Sequence, residues 1–111
     1  MSFVVRVHGQ AKQDIARNAL WWAENHSVDK ALEWIDAVEM QLKELSESPE
    51  QWGLALENGL FAYEIRERMA GLGKRRTYRA IFSIQGDVVH VLTVQRSFQD
   101  TVAVDQFPKS L

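Results

Sequence analysis

Cysteine is absent from this 111-residue chain, which excludes disulfides and thiolate metal sites. Long apolar runs are missing too: stretches such as Val88–Val94 fall far short of the ~20 residues that a bilayer-spanning helix needs. The opening Met1-Ser2-Phe3-Val4-Val5-Arg6 lacks the basic start and small-residue cleavage site of a signal peptide. A cytoplasmic protein with no membrane contact is therefore expected. Histidine occurs three times, without His/Asp/Glu neighbours at ligand spacing, so neither a metal nor another cofactor is expected. Internal repeats, linkers and low-complexity tracts are also lacking, and one domain over residues 1–111 is expected, large enough for a single core.

What is present is an ordinary soluble composition, 46% hydrophobic and 25% charged. The net charge of −2 argues against a dedicated nucleic-acid binder, which is usually basic. That average hides a division. Acids crowd Glu24–Glu57 (Glu24, Asp29, Glu33, Asp36, Glu39, Glu44, Glu47, Glu50, Glu57) against Lys30 and Lys43. Cations crowd Tyr63–Arg79 (Arg66, Arg68, Lys74, Arg75, Arg76, Arg79) against Glu64 and Glu67. Such a field can orient an anionic partner toward the basic half.

Phe3–His8 alternates Phe3/Val5/Val7 with Val4/Arg6/His8 and predicts a strand, closed by a turn at Gly9. Ala11–Asn25 carries a helical stripe of Ala11, Ile15, Ala19, Trp22 and Ala23, widened by Leu20 and Trp21. Ser27 suits an N-cap. Ala31, Leu32, Ile35, Val38, Leu42 and Leu45 then recur by threes and fours, a second helix ended by Pro49. Gln51–Leu60 reads as a loop. Strands follow at Tyr63–Met69, Thr77–Ile84 and Val88–Arg96, the last two joined by a Gln85-Gly86-Asp87 turn. Residues 101–111 form a tail with room for one helical turn between Asp100 and Pro108. The order β-α-α-β-β-β predicts an α+β fold: a mainly antiparallel sheet with a helical hairpin packed on one face.

The strands set arginines among apolar residues. Period two places Glu64, Arg66 and Arg68 on one face, and Thr77, Arg79, Ile81 and Ser83 on one face. An unpaired cation is expensive to bury. The arginines therefore predict that the sheet side bare of helices stays open, with Arg66, Arg79 and Arg96 converging on it as an anion site. Pairing with Glu64 and Glu67 is the plainer alternative. The same parity puts His90 with Val88, Leu92, Val94 and Arg96, as a proton carrier or an ordinary boundary residue. Ser83 and Ser97 have no glycine elbow, and Gly71-Leu72-Gly73-Lys74 lacks phosphate-loop spacing. Trp22 fits the core stripe, whereas Trp21 and Trp34 lie nearer its edges, where an exposed aromatic points to a protein interface.

Taken together, Ala11-x-x-Asp14-Ile15, Leu45 followed by Pro49 and Gly53, Tyr63-Glu64-Ile65-Arg66-Glu67, Thr77-Tyr78-Arg79-Ala80-Ile81-Phe82, Val91-Leu92-Thr93-Val94 and Asp100 resemble the RelE/ParE superfamily of toxins from bacterial type II toxin–antitoxin systems. The resemblance covers almost all of residues 3–100. It implies a growth-inhibiting toxin masked by a cognate antitoxin in a hetero-oligomer. ParE-like members poison DNA gyrase; RelE-like members cleave ribosome-bound mRNA. For the RelE-like case the resemblance offers Arg79 and Arg96 for the scissile phosphate and Tyr78 or His90 for proton movement. Arg66, Arg68, Arg75 and Arg76 fall to partner binding. The departures are a missing lysine pair before the second strand, no tyrosine after Arg96, and Gln99 and Arg96 where ParE-like chains often carry arginine and histidine. Arginine is also a poor proton shuttle, its pKa exceeding roughly 12. These points favour a ParE-like toxin acting on a protein target; the alternatives are the nuclease and an inactive partner-binding remnant.

Overall fold

A computed structural model describes residues 2–74, 76–97 and 103–111. Strand β1 (Val4–Val7) leads into helix α1 (Gly9–Asn25) and helix α2 (Val28–Lys43), followed by β2 (Arg66–Ala70), β3 (Tyr78–Gln85) and β4 (Val88–Arg96). The sheet order is β1-β4-β3-β2. β1 runs parallel to β4, and the other pairs are antiparallel. This is the expected α+β architecture, a helical hairpin on a mainly antiparallel four-stranded sheet.

Local chemistry explains most of the boundaries. Ser27 caps α2, its hydroxyl accepting from the Lys30 amide at 3.1 Å. Gly86 takes φ +62° in the two-residue turn between β3 and β4, the backbone that glycine permits at the first turn position. Three boundaries differ from expectation, the first being that β2 starts at Arg66 and not at Tyr63. Gly9 opens α1 instead of closing a turn, and α2 tightens into a 3-10 turn at Glu44–Ser46 before Pro49, which itself begins another short turn.

The main core lies between hairpin and sheet, with Ala11, Trp34, Val38, Leu42 and Leu45 packed on Ala70, Tyr78, Ala80, Phe82, Val89, Val91 and Val94. Trp34, expected near the edge of its stripe, is fully buried, its ring 4.9 Å from that of Tyr78. Leu20 and Leu32, counted in the stripes, are instead exposed.

The buried polar residues of α1 have a topological cause. β1 pairs with β4 only as far as Val91, leaving the outer edge of β4 beyond it without a strand. Asp14 and Asn18 fill that role: Asp14 accepts from the Val94 amide at 3.2 Å and from the Thr93 hydroxyl, and Asn18 donates to the Val94 carbonyl at 3.4 Å. A helix thus satisfies backbone groups that would otherwise stay orphaned.

Candidate functional site

The sheet side opposite the hairpin is not bare. Ala55, Ile65, Ile81, Leu92 and Phe107 form a second core there, with Phe61, Tyr63 and Leu111 against it. The segment after Trp52 and the C-terminal tail supply this cover. A short turn at Val104–Gln106 sets Phe107 in place, and Tyr63 Oη donates to the Pro108 carbonyl at 2.7 Å.

Nor do the arginines converge. Cross-strand partners share a face, so Arg66 (opposite Phe82) and Arg68 (opposite Ala80) lie on the helix side of the sheet. Arg66 donates to the Trp52 carbonyl at 2.5 Å and pairs with Glu64 at 2.9 Å. Arg68 donates to the Gln41 carbonyl at 2.8 Å, pairs with Glu44, and lies 4.5 Å over the Trp52 ring. Burial pulls its pKa down, opposed by Glu44. Arg79 faces the other side, 7% exposed, forked onto the buried Glu57 carboxylate at 2.6 and 3.1 Å, with Nε on Glu67 at 3.0 Å. Hydrogen bonding to Glu57 holds its pKa above the ordinary guanidinium value.

Arg96 is displaced by a β-bulge. Ile81 faces Thr93, whereas Phe82 faces Val91, so Leu92 is the extra residue. One extra residue inverts the parity of everything after it. His90 and Leu92 therefore face away from the helices, while Val94 and Arg96 face them, against the expected single row. Arg96 ends 4.0 Å over the Trp21 ring. Tyr78 is likewise on the helix side, 2% exposed, its hydroxyl accepting from Trp22 Nε1 at 3.1 Å. Arg76 is exposed beyond β2. Arg75, Gln99 and Asp100 lie outside the described residues.

What does gather on the helix-free side is a polar corner around His90. In register, Arg6 lies beside His90 from β1 and Ser83 from β3. His8 Nε2 and His90 Nδ1 are 2.8 Å apart. Burial lowers both pKa values, helped at each ring by the Arg6 charge and at His8 also by His90. Ser83 donates to the Glu64 carbonyl at 2.6 Å and accepts from Gln85. His8 and Arg6 were not singled out from the sequence. Their shared parity in β1 was visible, but meeting His90 depends on a parallel β1–β4 register that periodicity does not reveal.

A second feature is an apolar groove of about 560 Å³ on the hairpin side, along the outer edge of β1. Val5, Val7, Ile15, Ala16, Ile35 and Leu42 line it, with Lys12, Lys43 and Glu39 among them. Among the described residues no three His, Cys, Asp or Glu side chains are grouped to hold a metal, and no helix is long and apolar enough to cross a membrane.

The molecule is thus a small α+β domain with a helical hairpin on a four-stranded sheet, the β2 and β3 arginines Arg66, Arg68 and Arg79 tied to groups of their own chain and an apolar groove running beside an edge strand. The family model for the ParE toxin of the type II toxin–antitoxin system parDE matches residues 5–100. The chain belongs to that family and is a type II toxin. Among solved structures it is similar to a chain of the chromosomal ParDE toxin–antitoxin system from P. aeruginosa, with TM-score 0.71 and 18% identity over 86% of this chain and 96% of that one. It is also similar to a chain of the RelBE2 toxin–antitoxin complex from Mycobacterium tuberculosis, with TM-score 0.51 and 21% identity over 86% and 99%. At these identities the two structures speak for the fold. No curated protein matches the chain.

Proposed function

We propose that this chain is a ParE-like toxin, which arrests growth by binding a protein target such as DNA gyrase and is silenced by a cognate antitoxin. The observation that carries this reading is the state of Arg79. A nuclease using it would need its guanidinium on the scissile phosphate, yet its Nη1, Nη2 and Nε all donate to Glu57 and Glu67. Tyr78 is equally committed, buried beneath the hairpin. Of the groups offered for RNA cleavage, only His90 retains an environment suited to moving protons.

The antitoxin fits the groove beside β1. Val4 and His8 donate their amides toward β4, to Asp87 and Val91. In a parallel strand that alternation points the Val5 and Val7 backbone outward, ready for an added strand. The adjoining groove takes apolar side chains, and Lys12 and Lys43 suit acidic ones.

Induction of the chain alone is expected to stop growth, and co-expression of the neighbouring gene to restore it. Purified protein is expected to slow gyrase supercoiling and to leave ribosome-bound message intact. Cleaved message would establish the RelE-like nuclease instead, and no effect in either assay would leave a partner-binding remnant.

A further inference from the structure

The polar corner at Arg6, His8 and His90 has no part in the reading above beyond sharing its partner. Arg6 is exposed and has no ion pair among the described residues. Period two puts it on the same side of β1 as His8, and the sheet register sets it beside His90. A cation, a partly buried imidazole and a nearly covered imidazole thus adjoin at one end of the sheet. The two rings share one hydrogen bond, so one nitrogen donates and the other accepts.

We propose that Arg6, His8 and His90 form a carboxylate-binding site, occupied in the complex by an Asp or Glu side chain of the antitoxin. The inference rests on the toxin–antitoxin reading for its partner, but its chemistry stands on this corner alone. His8 Nε2 is engaged with His90, which leaves Nδ1 for a ligand. An incoming carboxylate accepts from the Arg6 guanidinium and from His8 Nδ1–H. The Arg6 charge, which opposes a proton on either ring, is then neutralised. His8 takes one proton from solvent and donates from both nitrogens, Nδ1 to the ligand and Nε2 to His90 Nδ1. His90 remains neutral as acceptor. Binding and protonation are thereby linked, each favouring the other.

The strands in register at this corner bring a cation and neutral groups to it. β1 contributes Arg6, β4 contributes His90, and β3 presents the neutral Ser83 and Gln85. α1 begins directly after His8 with no side-chain cap and no acid in its first turn, so its amide dipoles add positive potential. A metal cation is disfavoured by the same charges. A carboxylate is favoured over a nucleic-acid phosphate because the chain carries net charge −2, which opposes docking a polyanion.

The test is an NMR pH titration of the three histidine side chains in the full chain, at constant ionic strength, in chloride, acetate and inorganic phosphate. Acetate is expected to raise the coupled His8/His90 midpoint by up to about one unit, leaving His26, which stacks on Trp22, as the internal reference. Arg6→Gln should abolish the response while the His26 signal reports an intact fold. No response to acetate, an equal response at His26, or a stronger response to phosphate than to acetate each overturns the proposal, the last in favour of a nucleic-acid backbone. With the neighbouring gene's product as partner, affinity should rise by up to about tenfold per pH unit lowered between pH 7.5 and 6, and Arg6→Gln should flatten that slope. Growth arrest and rescue judge the toxin reading separately, so either idea can fail without the other.

Discussion

Substituting Arg79 by alanine should unfold this protein more readily than it disables any chemistry. The guanidinium makes three hydrogen bonds, two to Glu57 and one to Glu67, and the Glu57 side chain is only 1% exposed. Arg79→Ala removes those three donors and leaves the Glu57 carboxylate in the interior without its guanidinium partner. Breaking a buried pair from one side costs about 3–5 kcal/mol, a large share of the 5–15 kcal/mol typical of a domain. At roughly 4 °C per kcal/mol for this size, thermal unfolding should come about 12–20 °C earlier. In urea the midpoint should drop by ~2 M. The double variant Glu57→Leu/Arg79→Met removes both charges together, and its loss should fall short of the summed single losses by more than ~1 kcal/mol. An Arg79→Ala protein melting within ~3 °C of its parent, or strictly additive losses, would refute the structural role. If toxicity vanished in such an undamaged variant, the nuclease assignment of Arg79 would be revived.

Two further outcomes follow from the same coordinates. Asp14→Ala deprives the Val94 amide and Thr93 hydroxyl of their acceptor. It should cost about 2–3 kcal/mol and accelerate hydrogen exchange at Val94, where a merely surface aspartate would change neither. The His8/His90 pair makes stability depend on pH. Both pKa values lie below the ordinary 6.5, so below that pH the unfolded chain binds more protons and folding weakens. The loss should begin as pH falls through about 6.5, level off once the native pair itself titrates, and shrink in His90→Gln, measured by chemical denaturation across pH 7.5 to 5.

Element order was legible because it rests on local signals: the Ala31/Ile35/Val38/Leu42 spacing, the Ser27 cap and the Gly86 turn are each complete within a few residues. Periodicity also grouped Arg66 with Arg68 and Arg79 with Ser83. It says which residues share a face, but not which face another segment will cover. The Leu54–Glu57 segment shows why. Leu54 and Leu56 are exposed while Ala55 and Glu57 are buried, an inversion that makes sense only once Glu57 meets Arg79 across 22 residues of chain. The bulge at Leu92 is hidden for a related reason. Nothing in Val91-Leu92-Thr93-Val94 breaks alternation, and the extra residue becomes visible only against β3. Asp14 and Asn18 went unread as edge-fillers because their role depends on β1 being shorter than β4.

The disposition of the cations bears on how variants of this toxin should be interpreted. Arg68 ties β2 to α2, Arg79 ties β3 to the preceding loop, Arg66 holds the turn at Trp52, and Arg96 rests on α1 through Trp21. Each links two separate elements of the fold, Arg66 and Arg68 by hydrogen bonds to backbone carbonyls, Arg79 by a buried ion pair and Arg96 by contact with an aromatic ring. A phosphate-binding guanidinium must instead stay uncommitted until its substrate arrives, since hydrogen bonds already made to carboxylates have to be surrendered first. Alanine scanning across Arg66–Arg96 would therefore abolish toxicity at many positions by loosening the scaffold. Only a variant whose melting transition matches the parent can identify a residue that touches the target. By that standard the exposed Arg6 and Arg76 are better places to look for contact with an anionic group than any arginine within β2, β3 or β4.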